Sequence, residues 1–160
     1  MTNQPIRAVL QAKDIQNLVT AAPDATVAEV AAQMTQRGVG AVIIRGSGSE
    51  IGGIFTERDV MCRVVADGRD PARTRVSEVM SPNVRQVNAD ATVDEVLRLM
   101  VVHGHRHILV NDASGYGLVS IRDLMQWLIL PEKPIAPEGR VGVIRARTAE
   151  AIGTVKGLQN

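Results

Sequence analysis

Ser/Thr-x-x-Asp/Glu tetrads punctuate the chain, among them Thr26/Glu29, Thr56/Asp59, Thr92/Glu95 and Ser120/Asp123. A hydroxyl three residues ahead of a carboxylate can close a capping box. The hydroxyl accepts a hydrogen bond from an orphan helix N–H, and the carboxylate accepts one from the N-cap N–H. That reading suits Thr26/Glu29 and Thr92/Glu95. The other two tetrads each follow a glycine and an apolar strand directly, as Gly53-Ile54-Phe55-Thr56 and Gly117-Leu118-Val119-Ser120. A strand that runs straight into a helix N-terminus presents free N–H groups and the positive end of the helix dipole, which favours an anionic ligand. A short carboxylate one turn in can accept both hydroxyls of a ribose. Thr56, Asp59, Ser120 and Asp123 are therefore candidate ligand groups.

All the histidines fall within His103-Gly104-His105-Arg106-His107. On an extended strand His103, His105 and His107 share a face. Alternating imidazoles can supply two or three metal ligands, but no cysteine or carboxylate cluster adjoins them in sequence. A phosphate contact by Arg106 with His105 or His107 competes with a metal, and so does a solvated helix end. Cys62 stands beside Arg63, which can lower a thiol pKa; a packed helix thiol is the simpler reading. A metal- or redox-responsive stress protein using His103, His105, His107 and Cys62 is the alternative function carried forward. Gly46-Ser47-Gly48 and Gly52-Gly53 lack the Lys-Ser/Thr of a phosphate loop and read as a hairpin turn. No Ser-His-Asp order, HExxH motif or paired catalytic carboxylate is evident, and nothing argues for an enzyme.

The elements that must position these groups repeat. Asp24-Ala25-Thr26-Val27-Ala28-Glu29-Val30 recurs as Asp90-Ala91-Thr92-Val93-Asp94-Glu95-Val96. At the same offset Met34 meets Met100, Gly38 meets Gly104, and Val42-Ile43-Ile44 meets Ile108-Leu109-Val110. A Gly/Ser loop then shortens, and Gly53 to Asp59 meets Gly117 to Asp123. Val27, Val30, Ala31 and Met34 lie on one face of a helix, as do Val93, Val96, Leu97 and Met100. Gly38 and Gly104 can end those helices. Apolar runs at 41–44 and 107–110 read as buried strands, with returning strands at 51–55 and 116–119. Second helices are expected over 57–66 and 121–130, and leading strands near 18–21 and 84–87. The reading is two strand-helix-strand-strand-helix repeats of an α+β fold, 6–68 and 76–130, joined by a linker at 69–75. Residues 131–160 form a tail that is either flexible or carries a short helix near 148–156. A unit of this size buries too little surface alone, so two copies are expected to share a core, sheet to sheet or helix to sheet.

Composition narrows the function. The chain has 160 residues, 45% hydrophobic and 22% charged, as an ordinary globular protein has. Eighteen Lys and Arg against seventeen Asp and Glu give net charge +1. That balance argues against a protein that coats nucleic acid or an anionic membrane. Aromatics are 2%, which leaves no stacking platform for single-stranded nucleic acid. One cysteine permits a reducing compartment. No targeting segment or run of about 20 apolar residues is visible, so the expectation is a cytoplasmic protein without a membrane span.

Together these residues resemble a tandem pair of CBS domains, the Bateman module, over about residues 6–130. The likeness rests on the duplicated Asp-Ala-Thr-Val-x-Glu-Val stretches, on Val76-Ser77-Glu78-Val79-Met80-Ser81-Pro82, on Arg106-His107-Ile108-Leu109-Val110, and on the two Gly-x-x-Ser/Thr-x-x-Asp segments. It is nearest to stand-alone bacterial two-CBS proteins related to IMP dehydrogenase, without that enzyme's barrel. Leu109 and Ile43 replace the proline usual in the family. The resemblance implies α+β repeats packed through their sheets, in a regulatory homodimer that binds AMP, ADP, ATP, NAD(H) or S-adenosylmethionine and is read by a regulated protein. It also implies two sites. Site one joins Thr56 and Asp59 to Gln86, Ala91, His105, Arg106 and His107. Site two joins Ser120 and Asp123 to Thr20, Ala25, Val39, Gly40 and Ala41.

Overall fold

A computed structural model describes residues 3–12, 18–46, 50–113 and 115–129. In chain order the elements are α1 (Ile6–Ala12), β1 (Thr20–Ala21), α2 (Val27–Arg37), β2 (Ala41–Arg45), β3 (Ile51–Thr56) and α3 (Glu57–Asp59). A π-helical segment (Val60–Val65) continues α3. Then come α4 (Val76–Val79), β4 (Gln86–Asn88), α5 (Val93–His103), β5 (His107–Asp112), β6 (Gly115–Ser120) and α6 (Ile121–Ile129). The tail, with its expected helix near 148–156, lies outside the described residues.

Local chemistry accounts for the two long helices. Val27, Val30 and Met34 are buried on α2, and Val93, Val96 and Met100 on α5, as their spacing predicts. Each helix opens with a capping box and ends at a left-handed glycine, Gly38 and Gly104, both at φ 65°. A β-carbon is strained in that conformation. The helix between the first two strands of each repeat carries the chain back, so β1–β2 and β4–β5 pair parallel. Hairpins make β2–β3 and β5–β6 antiparallel.

The sheets run β1-β2-β3 and β4-β5-β6. Each has one face on its helices, around Val42, Ile44 and Phe55 in repeat 1 and Ile108, Val110 and Val119 in repeat 2. The other faces meet: Ala41, Ile43 and Ile54 pack with Leu109, flanked by Leu18, Ile51, Val84 and Leu118. The α+β repeats are thus joined through their sheets. Leu18 and Val84 leave the leading strands, which are shorter than expected, and fill this interface.

Helices α1 and α4 are exchanged. α1 opens the span expected for repeat 1 but buries Ile6 and Val9 in the core of repeat 2, while α4 opens that of repeat 2 but buries Val76 and Val79 in repeat 1. Their bonds match one for one. The Ile6 N–H donates to the Ala91 carbonyl at 2.7 Å and the Val76 N–H to that of Ala25 at 2.8 Å. The first N–H groups of α5 and α2, from Val93 and Val27, reach the carbonyls of Gln4 and Thr74, both at 2.9 Å. Donors that no helix can satisfy internally are thereby paired. Beyond α4, Ser81 and Ile54 exchange backbone hydrogen bonds of 2.8 and 2.9 Å. The π-helical winding of 60–65, where the Ala66 N–H reaches the Met61 carbonyl at 3.0 Å, was not expected. Its counterpart α6 is α-helical.

Candidate functional site

Strand register decides which predicted residues face the opposite sheet. Residues paired across strands, and alternate residues along one, share a face. Thr20 pairs with Ile43, Ile43 with Ile54, and Ala41 with Thr56. Since Ile43, Ile54 and Ala41 pack against the second sheet, Thr20 and Thr56 lie on that face too. Likewise Gln86 pairs with Leu109, Leu109 with Leu118, and His107 with Ser120. Thr20, Ala41, Thr56, Gln86, His107 and Ser120 therefore border the apolar contact between the sheets.

The two Asp tetrads close as capping boxes like the Glu tetrads. Thr56 N–H and Oγ1–H donate to Asp59 Oδ2 at 2.8 and 2.7 Å. Ser120 N–H and Oγ–H donate to Asp123 Oδ2, both at 2.7 Å. They differ in burial. Glu29 and Glu95 are exposed, Asp123 is half-buried, and Asp59 is only 7% exposed. The Thr26 and Thr92 backbone bonds, then those from the hydroxyls, hold Glu29 and Glu95 below the usual carboxylate range.

Asp59 has a further partner. Its Oδ1 is 3.2 Å from Arg63 Nη1, which also donates to the Val79 carbonyl at 2.9 Å. Sequence reasoning took Arg63 only as a neighbour of Cys62. Its place four residues after Asp59, on the same helix face, was the available signal.

The remaining predicted residues divide. The Glu57 N–H donates to the Gly40 carbonyl at 3.1 Å, and the Ile121 N–H to that of Arg106 at 2.9 Å. Gly40 and Arg106 thus lie against the tetrads of their own repeats. Gly40 has little spare room, since a β-carbon there would stand 3.1 Å from Glu57 Oε2. Val39 and Ala25 pack on the helix side of sheet one, and Ala91 on that of sheet two, away from the facing surfaces. Ala91 also lines an open groove of about 630 Å³ with Val87, Leu99 and Val102.

The CBS domain family matches residues 12–66 and again 76–130. The chain belongs to the CBS-domain family. CBS pairs commonly regulate and bind ligands. A protein with CBS domains from Burkholderia ambifaria shares the fold at TM-score 0.75 and 31% identity, over 84% of this chain and 99% of that one. A hexameric CBS-CP12 protein from bloom-forming cyanobacteria does so at TM-score 0.69 and 28% identity, over 96% and 90%. A Methanopyrus kandleri protein is 35% identical over 112 residues, 69% of this chain and 57% of its own length.

In this CBS pair the histidines do not share a strand face, which corrects the expectation. His103 ends α5, Gly104 turns the chain, and His107 begins β5. His105 Nδ1 lies 3.0 Å from the His103 carbonyl oxygen, and the two rings meet edge-on at 6.0 Å. Among the described residues no three His, Cys, Asp or Glu side chains form a group that could hold a metal. Cys62 is exposed on the π-helical segment. No helix among the described residues is long and apolar enough to cross a membrane.

Proposed function

We propose that this CBS pair is a non-catalytic regulatory module, cytoplasmic and homodimeric. It binds an adenosine-containing nucleotide (AMP, ADP, ATP, NAD(H) or S-adenosylmethionine) at the edges of the sheet–sheet contact. One observation carries the reading. A buried carboxylate, Asp59, is bonded to a hydroxyl at the end of a strand face that meets the other sheet, and Ser120/Asp123 repeats the arrangement. An aspartate there accepts ribose hydroxyls. The Thr56 and Ser120 hydroxyls hold those aspartates in place, and Arg106 offers phosphate a charge-assisted contact. Leu18, Ile51, Val84 and Leu118, half-buried around the contact, offer aliphatic walls to adenine. Thr56 and Asp59 work with Gln86 and His107 across the contact, and Ser120 and Asp123 with Thr20 and Ala41; Ala25, Val39 and Ala91, on the helix sides of their sheets, fall outside the clefts, and Gly40 and Arg106 stand beside the tetrads of their own repeats. A ligand wedged between repeats favours one relative angle over another, and a regulated protein reads that shift.

Titration calorimetry with AMP, ATP, NADH and S-adenosylmethionine tests this. Losing a cap bond costs about 1 kcal/mol, so Asp59→Ala and Asp123→Ala should still fold. Each should weaken binding at its own cleft by about ten-fold or more, the worth of hydrogen bonds to a charged group. Unchanged affinity at both clefts in the double variant would overturn the assignment.

A further inference from the structure

The two Asp tetrads of the CBS pair are followed by different residues four places after the aspartate, Arg63 and Trp127. A carboxylate offers about four lone-pair positions, two on each oxygen. Asp59 Oδ2 already accepts two hydrogen bonds, from Thr56 N–H at 2.8 Å and Thr56 Oγ1–H at 2.7 Å. Oδ1 faces Arg63 Nη1 at 3.2 Å. One position is left, whereas a vicinal diol brings two O–H donors. Arg63 is itself held at its far side, donating to the Val79 carbonyl at 2.9 Å, the last residue of α4. From α4 the chain passes through Ser81, bonded to Ile54, and into β4 at Gln86. In repeat 2 the corresponding residue is Trp127, whose uncharged indole N–H donates to Gln4 Oε1 at 3.1 Å.

We propose that Arg63 is a latch on the first cleft. Closed, it leaves Asp59 room for one hydroxyl. A ligand with a vicinal diol must open it, and the opening reaches α4 through the shared guanidinium. Arg63 is thereby a positioning and specificity-determining residue of the first cleft. The inference rests on the proposed binding of ribose at Asp59.

The test compares AMP with 2′-deoxy-AMP by calorimetry, in an Asp123→Ala background that leaves the first cleft. Arg63→Met keeps the side-chain stem and removes the cation. Its Kd for AMP should fall about two- to five-fold, the equivalent of a partly exposed ion pair. Its Kd for 2′-deoxy-AMP should not change, since one hydroxyl fits the position already open. Arg63→Lys should match the wild type. A preference for AMP that vanishes in Asp59→Ala yet ignores Arg63→Met overturns the latch alone. A wild type with no Asp59-dependent preference removes the ribose reading and the latch with it. Should Arg63→Met not fold, the wild-type protein decides by NMR. The Arg63 Nε–H resonance should move on saturation with AMP and stay with 2′-deoxy-AMP; no AMP-specific movement overturns the proposal.

Discussion

At Gly53 the chain has no room for a β-carbon. One placed there would lie 2.7 Å from both Met80 Sδ and the Ser81 carbonyl oxygen, and the latter is tied to Ile54. The methionine can swing aside, but the carbonyl is fixed by the bridge that seats the exchanged α4. Gly53→Ala should therefore cost about 1–3 kcal/mol, the usual range for overpacking. Gly46, in the same hairpin, has nothing within 4 Å of its added carbon, so Gly46→Ala is the matched control. Chemical denaturation of the two variants checks this, and equal midpoints would refute it. Nearby, the choice of Asp rather than Glu at 59 and 123 has a geometric reading. The side chain is one methylene shorter, so the box closes tightly against its own strand end, at 2.7–2.8 Å for Asp59. The Glu boxes at 29 and 95 stand out in solvent.

Those outer boxes belong to their helices. Glu29 and Glu95 each accept hydrogen bonds from a threonine N–H and hydroxyl, at 2.8 and 2.9 Å in both repeats. These bonds favour the ionised carboxylate and lower its pKa in the folded protein. A carboxylate with a lowered folded pKa stabilises the fold above its unfolded value, and that contribution is lost as pH falls through the folded one. The Glu29→Gln, Glu95→Gln double variant lacks this titration. Its melting temperature should decline less steeply than the wild type's between about pH 5 and pH 3. Parallel acid limbs in differential scanning calorimetry would show that the boxes do not couple to folding. Asp94 and Arg98, paired at 2.8 Å on the solvent side of α5, are unchanged in this comparison.

The whole molecule leaves apolar surface uncovered. Met61 and Val65 on the π-helical segment are 60% and 70% exposed; Met125 and Ile129 on α6 are 52% and 69% exposed. These residues sit at equivalent places in the two repeats, so the internal symmetry gives each repeat the same exposed apolar patch. A second copy is the proposed cover, because burying such side chains stabilises association by roughly 25 cal/mol per Å². Light scattering at micromolar concentration should return twice the chain mass. Val65→Glu with Ile129→Glu should return the monomer with its melting transition retained. A wild-type monomer would overturn the dimer, and a Glu variant that stays dimeric would place the contact elsewhere. Stability within one chain has another source, the exchange of α1 and α4, which binds each repeat to a helix supplied from outside its own sequence span.

Whatever depends on residues three or four apart was legible in the sequence. The capping boxes, the buried stripe of α2 and α5 and the glycine helix ends are local events, settled by side-chain reach and backbone sterics within one turn. The duplication was legible too, since equal patterns at a constant offset make equal units. From these the repeats and the order of their elements could be written down, whereas Ala25, Val39 and Ala91, named for the clefts, fall on the helix sides of their sheets. Three features were decided by tertiary structure alone. The exchange of α1 and α4 depends on which of two similar apolar faces each short helix meets, and both present the same pattern. The histidine cluster looked like an alternating strand until the end of α5 and the turn at Gly104 placed His103 on a helix. Arg63 acquires its role only because α4 brings the Val79 carbonyl within reach, a contact sixteen residues away along the chain. Local bonds recur wherever their residues do, whereas a contact between distant segments exists only after the whole chain has packed.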